Sequence, residues 1–367
     1  MLCNNKKKIL IIANNHVGLY QFRSELIEKL LQDYEVCISL PYGKFVDNLT
    51  EMGCKFIDTK MKRRGTNPIS DFLLFSKYVL IIQREKPDIV VTYTIKPNVY
   101  GGAACRVLGV PYILNITGLG TAFEKNGMIK KLVVFMYRYS CKNAKMIFFE
   151  NEYNREVFVE NGLASEKQTH RLNGAGVNVE KYNFTVLPEN KITTFLFMGR
   201  IMAEKGIDEL IAAMKKVRIE GYSAKLIVLG EYEEKYEDIL KECSEEGWLE
   251  YYGYQEIVKP YIDQCDCFVL PSWHEGMANT ILESAASGRP VITSNIPGCR
   301  EAVKDGVSGY LVRAKDVDDL YNTLIKFIKL SYPERKEMGV QGRKYMEKLF
   351  DKKMIVKETI DCIEGVL

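Results

Sequence analysis

The sequence lacks the long apolar runs that would carry a chain across a membrane. Its longest uninterrupted apolar runs, such as residues 132–137, are far shorter than the roughly 20 residues that a membrane-spanning helix needs. The start, MLCNNKKKILIIANNHVG, has only five consecutive apolar residues before two asparagines, which predicts a first strand and not a signal peptide. We therefore expect the chain to stay in the cytosol.

Histidine is scarce and cysteine is scattered, which argues against a metal centre. The three histidines lie far apart in the sequence, and the ten cysteines form no C-x-x-C pair, so reduced and mostly buried thiols are expected. No D-x-D pair directly follows an apolar run that predicts a strand. No G-x-G-x-x-G follows the first such run of either half, which disfavours a dinucleotide-dependent dehydrogenase.

Length and charge favour two globular domains of opposite character. The chain has 367 residues, of which 47% are hydrophobic, enough for two cores. Residues 1–185 hold 26 Lys and Arg against 17 Asp and Glu, a charge of +9, whereas the remainder holds 25 against 31, a charge of −6. The basic half lacks aromatic RNA-reading and helix-turn-helix signatures, so an anionic ligand or membrane is favoured over nucleic acid.

Short β-branched runs alternate with longer amphipathic stretches in both halves. In the first half the runs are KILIIA, EVCISL, CKFIDT, DIVVTY, PYILNI and KMIFFE, with helical stretches near 18–31, 68–85, 97–107 and 125–142; in the second they are TTFLFMG, AKLIVLG, LEYYG, CFVLP and PVIT. The pattern predicts an α/β protein with two tandem Rossmann-like, doubly wound domains, 1–185 and 186–350. Ligands of such sheets bind at the carboxyl ends of the strands, which directs attention to the residues after each run.

Two cations follow the first run of the second half, in FLFMGRIMAEKGID. Gly199 and Arg200 come directly after the run, and Lys205 and Gly206 precede a stretch with helical spacing. A planar guanidinium and a compact ammonium at one strand end suit a diphosphate better than a single carboxylate. The same residues are also typical of a solvated loop, so the motif alone leaves both interpretations open.

Two acids, Glu275 and Glu283, lie eight positions apart in SWHEGMANTILESAASGRP, after the run CFVLP. A helix from about Ala278 to Ser287 would direct its first N–H groups towards Arg200 and Lys205, forming an anion site. Eight helical residues span ~12 Å and leave the acids about 80° apart, so they do not act on one bond. Glu275 is then assigned to the reacting group, and Glu283 to a more distant part such as a ribose diol. A capping acid and an exposed helix acid are the alternative.

Together, the Gly199–Arg200, Lys205–Gly206 and Glu275…Glu283 motifs resemble those of the retaining family 4 glycosyltransferases, which have the GT-B fold. NGAGVNVEKY (173–182) looks like the segment that ends the first domain in that family, and the resemblance covers nearly the whole chain. It implies two domains facing across a cleft, with a C-terminal helix at about 351–367 that packs back onto the first domain. VGLYQFR (17–23), TIKPNVYGG (94–102) and NITGLGTAF (115–123) are similar to segments of bacterial enzymes that extend undecaprenyl-diphosphate-linked oligosaccharides with N-acetylhexosamines.

The resemblance also implies roles for individual residues. Many relatives carry a histidine after the fifth strand of the first domain; here that region reads Asn115-Ile116-Thr117-Gly118, so Asn115 or Thr117 would replace it, with His16 as a competing candidate. The implied catalytic residues are Glu275, Arg200 and Lys205; the implied donor-binding residues are Gly18, Asn115, Thr117, Gly199, Tyr254, Gly276, Met277, Ala278, Asn279 and Glu283; and the implied acceptor-binding residues are His16 and Lys96.

The implied activity is a hexosyltransferase that retains anomeric configuration. It would move a sugar from a UDP-sugar to a polyprenyl-diphosphate-linked glycan, in capsule, O-antigen or glycoprotein glycan synthesis, with no cofactor and no metal. A UDP-sugar 2-epimerase with the same architecture is the alternative enzyme. A two-lobed sugar-binding protein is the non-enzyme alternative, although it would not need the Arg200 and Lys205 clamp.

The basic character of the first half is concentrated in two segments, GMIKKLVVFMYRYSCKNAK (127–145) and KMKRR (60–64). The first combines Lys130, Lys131 and other cations with a long apolar stretch, which is typical of a mostly buried helix with a solvated basic end. A polyprenyl-diphosphate acceptor stays in the membrane, so the same residues would also serve peripheral docking on the anionic inner face of the cell membrane.

Overall fold

The computed structural model describes residues 6–61, 67–119 and 128–367, and within it the chain divides into two compact units. The first unit comprises Met1–Ala175 and Met354–Leu367, and the second comprises Gly176–Lys353. The division falls ten residues before the predicted boundary at 185. The C-terminal helix is counted almost entirely with the first unit.

The first unit is built on a seven-stranded, fully parallel sheet in the order β3-β2-β1-β4-β5-β6-β7. Its elements are β1 (Lys8–Ile12), α1 (His16–Asp33), β2 (Glu35–Leu40), α2 (Phe45–Glu51), β3 (Lys55–Asp58), α3 (Pro68–Glu85), β4 (Ile89–Tyr93), a π-helix (Pro97–Gly101), α4 (Gly102–Leu108), β5 (Tyr112–Ile116), α5 (Met128–Cys141), β6 (Met146–Phe149), α6 (Glu152–Glu160), a 3-10 helix (Glu166–Gln168) and β7 (Thr169–Arg171).

Helices cover both faces of this sheet, because its central strands are apolar on both sides. On one face Leu10, Val90 and Leu114 pack with buried residues of α3, α4, α5 and α6. On the other face Ile9 and Ile11 pack with residues of α1 and α2. The C-terminal helix, α13 (Lys352–Glu364), contributes Ile355 and Ile363 to this second layer.

The second unit repeats the arrangement with a six-stranded parallel sheet in the order β10-β9-β8-β11-β12-β13. Its elements are β8 (Thr193–Met198), a 3-10 helix (Ala203–Lys205), α7 (Ile207–Ile219), β9 (Ala224–Leu229), α8 (Glu237–Glu245), β10 (Leu249–Tyr251), α9 (Lys259–Gln264), β11 (Cys267–Leu270), α10 (Asn279–Ala286), β12 (Val291–Ser294), a 3-10 helix (Arg300–Ala302), β13 (Gly309–Val312), α11 (Val317–Ile328) and α12 (Tyr332–Leu349).

The predicted fold class is confirmed: each unit contains a doubly wound parallel sheet, and all eleven predicted strands are present. The two unpredicted strands, β7 and β13, are short edge strands without a long apolar run. In the first half, the prediction also missed α2 and α6, which have seven and nine residues and bury few side chains. None of the helices in the described ranges is long and apolar enough to cross a membrane.

Candidate functional site

The loop after β8 approaches the end of β11 in the second unit. Gly206 has a φ of +74°, and a Cβ there would lie 2.1 Å from the carbonyl oxygen of Pro271. Glycine is required here, because any side chain would meet that backbone and would strain a left-handed conformation. The close approach places Lys205, the preceding residue, beside the loop that carries Glu275.

Lys205 and Glu275 form an ion pair that is mostly buried. The ammonium of Lys205 contacts Glu275 Oε1, and the two side chains are 15% and 12% exposed. Ser272 Oγ donates a hydrogen bond of 2.9 Å to the same carboxylate oxygen. The N–H of Trp273 donates to the carbonyl of Glu204 at 2.9 Å, which joins the two loops through their backbones as well. Both catalytic candidates are therefore held in a fixed arrangement.

Arg200, the second predicted cation, lies in a more open position. Its guanidinium pairs with Glu233 Oε2 at 3.3 Å, and its side chain is 43% exposed. Exposed ion pairs contribute little to stability and exchange partners readily. Arg200 can therefore turn towards an anion, whereas Lys205 is already fixed beside Glu275.

The predicted helix after Glu275 is α10, and it begins at Asn279 with Ala278 as its N-cap. Ala278 has no side-chain acceptor, so the cap leaves N–H groups of the first turn to be satisfied by another group. The N–H of Ala278 itself already donates to the carbonyl of Gly298 at 2.9 Å. The buried Oδ1 of Asn279 has no hydrogen-bond partner among the described residues. A polar ligand would satisfy both deficits.

Gly298 fixes the path of this loop. Its φ is +84°, and a Cβ there would lie 2.6 Å from the carbonyl oxygen of Gly276 and 2.7 Å from that of Glu275. The N–H of Gly298 donates to Glu301 Oε2 at 2.7 Å. The turn after β12 thus packs directly against the backbone of the Glu275–Ala278 loop and holds it in place.

Glu283 lies in the second turn of α10, beside Tyr182 and near Lys181 and Lys352. Burial raises the pKa of its carboxyl group to about 7, although a hydrogen bond from Tyr182 and the charges of Lys181 and Lys352 oppose the shift. The side chain is half-buried by area, and the direction of the shift agrees with that position. Such a carboxyl group changes its charge near neutral pH, which an exposed helix acid does not.

The other predicted residues of the second unit lie in the loops after β8, β10 and β11. Gly199 is half-buried, and its N–H donates to the carbonyl of Leu229 at 3.0 Å. Tyr254 is 45% exposed after β10, whereas Met277 is buried. Gly276 is half-buried in the loop between Glu275 and α10.

The first unit carries its predicted residues at the carboxyl ends of its own strands. Asn115, in β5, is 3% exposed, and its Nδ2 has no partner among the described residues. Its backbone oxygen accepts a hydrogen bond of 2.7 Å from Asn98. Thr117 is half-buried just after the strand. The orphaned amide of Asn115 is the feature here that a ligand would satisfy.

His16, Gly18 and Lys96 are occupied by protein contacts. Gly18 lies in the first turn of α1 and not in a loop before it, and its N–H donates to Asn15 Oδ1 at 2.7 Å. The N–H of Phe45 donates to Nδ1 of His16, whose pKa is lowered by burial. The ammonium of Lys96 lies 2.7 Å from Asp71 Oδ1, and both side chains are mostly buried.

Three residues of the site have no counterpart in the sequence prediction. Ser272 lies two residues after β11 and could have been found by that position, as Glu275 was. Tyr182 and Gly298 were not identifiable, because their contacts with Glu283 and with the Glu275 loop join distant parts of the chain. In the described part of the chain, no group of three or more His, Cys, Asp and Glu side chains could hold a metal ion.

Comparison with known families matches both halves of the chain. Residues 179–345 match the model of glycosyl transferases group 1, and residues 8–151 match the model described as glycosyl transferase 4-like. Together the two models match most of the chain, and the chain belongs to the glycosyltransferases that combine these two domains. The match over residues 179–345 contains every predicted site residue of the second unit, from Gly199 to Glu283.

Individual relatives of this glycosyltransferase align over most of their length. It is 25% identical to the N,N'-diacetylbacillosaminyl-diphospho-undecaprenol alpha-1,3-N-acetylgalactosaminyltransferase of Campylobacter jejuni, over 85% of this chain and 87% of that one. It is 27% identical to the UDP-Gal:alpha-D-GlcNAc-diphosphoundecaprenol alpha-1,3-galactosyltransferase of Escherichia coli, over 85% and 86%. Anabaena HepE, solved in complex with UDP and glucose, superposes with a TM-score of 0.81 at 16% identity, covering 98% and 100%. The fold is GT-B.

Proposed function

We propose that this glycosyltransferase moves an N-acetylhexosamine from a UDP-sugar to a polyprenyl-diphosphate-linked glycan, with retention at the anomeric carbon. The observation that carries the proposal is the buried Lys205–Glu275 pair beside the uncapped start of α10. This combination offers positive charge for a diphosphate and a carboxylate for sugar hydroxyls. The names of the Campylobacter and Escherichia relatives support the lipid-linked acceptor, and the latter also supports the UDP donor.

In the proposed reaction, the bond from the anomeric carbon to the diphosphate oxygen breaks while the acceptor oxygen bonds to the same face of that carbon. The hydroxyl proton passes to the departing diphosphate. Lys205, Arg200 and the first turn of α10 stabilise the negative charge that develops there, as preorganised electrostatic groups do. Glu275 accepts hydrogen bonds from the sugar, and the backbone from Gly276 to Asn279 contacts its hydroxyls and phosphate.

These cations supply the charge stabilisation that a metal ion would otherwise supply. We therefore expect the full chain to elongate an undecaprenyl-diphosphate-linked oligosaccharide by one sugar, releasing UDP, at the same rate with and without excess EDTA. The assay takes each UDP-N-acetylhexosamine in turn and follows the lipid-linked product by mass. Loss of transfer in EDTA with recovery in magnesium or manganese would contradict the metal-free site. Formation of an epimeric UDP-sugar without acceptor would identify a 2-epimerase instead.

We assign the ribose of the donor to Glu283, and the raised pKa gives this assignment a pH signature. A carboxylate accepts hydrogen bonds from both ribose hydroxyls, whereas the protonated acid accepts fewer. Because the pKa in the free protein is about 7, UDP affinity should rise as pH increases through neutrality, by up to about tenfold per pH unit on the acidic side. Calorimetry should also detect proton release on binding near pH 7.

UDP has a titrating phosphate of its own, so Glu283→Gln is the matched control. The variant should bind UDP more weakly above neutrality and lose the Glu283 part of the pH dependence. The free energy of unfolding of the wild type should fall with pH while its UDP affinity rises. The pKa of Glu283 is raised on folding, so folding stability is lost as pH increases from the ordinary pKa of a glutamate towards 7. Glu283→Gln should remove that decline. An identical pH profile of UDP binding in both proteins would show that Glu283 does not bind the ribose.

In the first unit, we assign Asn115 and Thr117 to the donor sugar and His16 and Lys96 to the acceptor side. The unpartnered amide of Asn115 supports the first assignment, because a buried donor without a partner is costly unless a ligand completes it. The contacts of His16 and Lys96 within the protein favour positioning roles for both. The pairing of Lys96 with Asp71 leaves no net positive charge for a phosphate.

We further propose that the first unit docks on an anionic membrane surface, where the lipid-linked acceptor resides. Lys131 is exposed near the start of α5, together with Leu132 and Phe135. Clusters of basic and apolar side chains of this kind favour peripheral binding to anionic lipid. Lys62, Arg63 and Arg64 of the KMKRR segment, residue 127 of the 127–145 segment and residues 120–123 of NITGLGTAF lie outside the described residues.

A further inference from the structure

The first unit contains a groove that the transfer reaction does not use. It has a volume of about 650 Å³ and is lined by the ends of α4 and α5 and by the turn between α6 and β7. Helices α4 and α5 end just before β5 and β6 begin, so the groove lies at the amino ends of the strands. Asn115 and Thr117 lie at the opposite, carboxyl ends of the strands of the same sheet.

Three cations line the groove, Arg106, Arg138 and Lys142, and none of its ten lining residues is acidic. Among the described residues, no carboxylate lies within ion-pair distance of any of the three. Arg106 and Arg138 each lie in the last turn of a helix, where the helix dipole favours a cation. Lys142 lies beyond α5, so the dipole does not account for the whole cluster.

Arg106 is held in position by Tyr139. Its guanidinium stacks on the tyrosine ring at 4.0 Å from the centroid, and Nη1 donates to the tyrosine carbonyl at 2.8 Å. Arg138 Nη2 donates to the carbonyl of Asn161 at 3.1 Å. These partners are neutral, so both arginines keep their charge uncompensated and have further N–H groups to donate.

The groove belongs to a helix layer that exposes several large apolar side chains. Nine exposed large apolar residues of the first unit lie on the helices of this layer: Ile69, Phe72, Leu73, Leu80, Val107, Leu132, Phe135, Tyr139 and Tyr153. By contrast, Tyr42 precedes α2, Ile95 precedes the π-helix and Met354 lies on α13. Phe135 and Tyr139 themselves line the groove. The exposed rings of Phe135 and Tyr139 beside three cations match the chemistry of a phospholipid at a membrane surface.

We infer that this groove binds the phosphate of an anionic phospholipid headgroup and thereby orients the first unit on the membrane. The inference rests on the proposed membrane docking, but it requires more than diffuse attraction. Arginines already fixed in place recognise phosphate oxygens through directed hydrogen bonds. A diffuse basic surface would depend only on total charge.

The test compares two double variants with the same change in charge. Arg138→Gln with Lys142→Gln removes two cations of the groove and leaves Arg106 and its packing intact. Lys145→Gln with Lys167→Gln removes two exposed lysines next to the groove that do not line it. Sedimentation with phosphatidylglycerol-containing vesicles should show at least about tenfold weaker binding for the groove variant, and less than about threefold for the control.

Further measurements separate the possible outcomes. Vesicles given the same surface charge by oleate, which carries no phosphate, should bind the wild type more weakly and both variants equally. Transfer to a detergent-dispersed acceptor should be unchanged in both variants, which also shows that they are folded. Equal losses in the two variants, or equal binding to oleate vesicles, would overturn the phosphate site. No binding of the wild type to any anionic vesicle would instead refute the membrane docking on which it rests. If inorganic phosphate saturated the groove and phosphatidylglycerol vesicles did not compete with it, the lipid assignment would also be overturned.

Discussion

Lys205→Ala is expected to lower kcat/KM for sugar transfer by about 10²- to 10³-fold, or ~2.7–4 kcal/mol. Lys205 is mostly buried, so its charge is little screened by water and is already in place before the leaving group develops its charge. Arg200→Ala should lose less transition-state stabilisation, towards ~2 kcal/mol, because the Arg200 side chain is 43% exposed and must leave Glu233 to bind the diphosphate. Steady-state kinetics of the two variants measures the difference.

Lys235→Ala is the matched control for these variants. Lys235 is an exposed lysine in the loop after β9, and its loss changes the net charge by the same amount. It should transfer sugar at the wild-type rate. Because Lys205→Ala leaves the Glu275 carboxylate without its cation, thermal unfolding must show that the variant is folded. Wild-type turnover in the folded Lys205→Ala protein would exclude Lys205 from the diphosphate site.

Glu275→Gln is expected to leave UDP affinity within about twofold of the wild type and to lower kcat/KM for the UDP-sugar by about 10- to 100-fold. The substitution keeps the shape of the side chain but removes the charge that strengthens hydrogen bonds from sugar hydroxyls, each of which contributes about 1.5–3 kcal/mol. Ser272 and Lys205 both contact Oε1, which fixes the carboxylate and presents its second oxygen in one direction. Calorimetry with UDP and kinetics with the complete donor measure the two quantities separately.

Glu283→Ala is the complementary experiment, since it should weaken the binding of UDP itself. The two acids then have opposite profiles: one affects only the sugar-dependent step, and the other affects the nucleotide. Ser272→Ala adds a readout of positioning, because it should lower kcat with little change in KM while Glu275 stays charged. Equal losses of UDP affinity in the Glu275 and Glu283 variants would contradict separate roles for the two acids.

The sequence by itself determined the architecture and the positions of the functional loops. The quoted runs of four to seven residues are sufficient to predict parallel strands, and the residues after them lie at carboxyl ends wherever the sheet is parallel. Gly199, Arg200, Lys205 and the Glu275 loop were singled out on that ground, and the resemblance to family 4 glycosyltransferases then implied their roles. Helix α10 was predicted to within a residue at each end, because its apolar periodicity is local. β7 and β13 were not predicted, because edge strands do not need a long apolar run.

Only the tertiary structure decided the electrostatic state of the site. Lys205 and Glu275 are 70 residues apart, and their pairing follows from the close approach of Gly206 to Pro271. The pKa of Glu283 depends on burial and on Tyr182, about a hundred residues earlier. The cationic groove likewise joins α4, α5 and the turn before β7. Local propensity fixes where strands and helices form, whereas charge states depend on which distant groups the packing brings within a few ångströms, through a medium that water no longer screens.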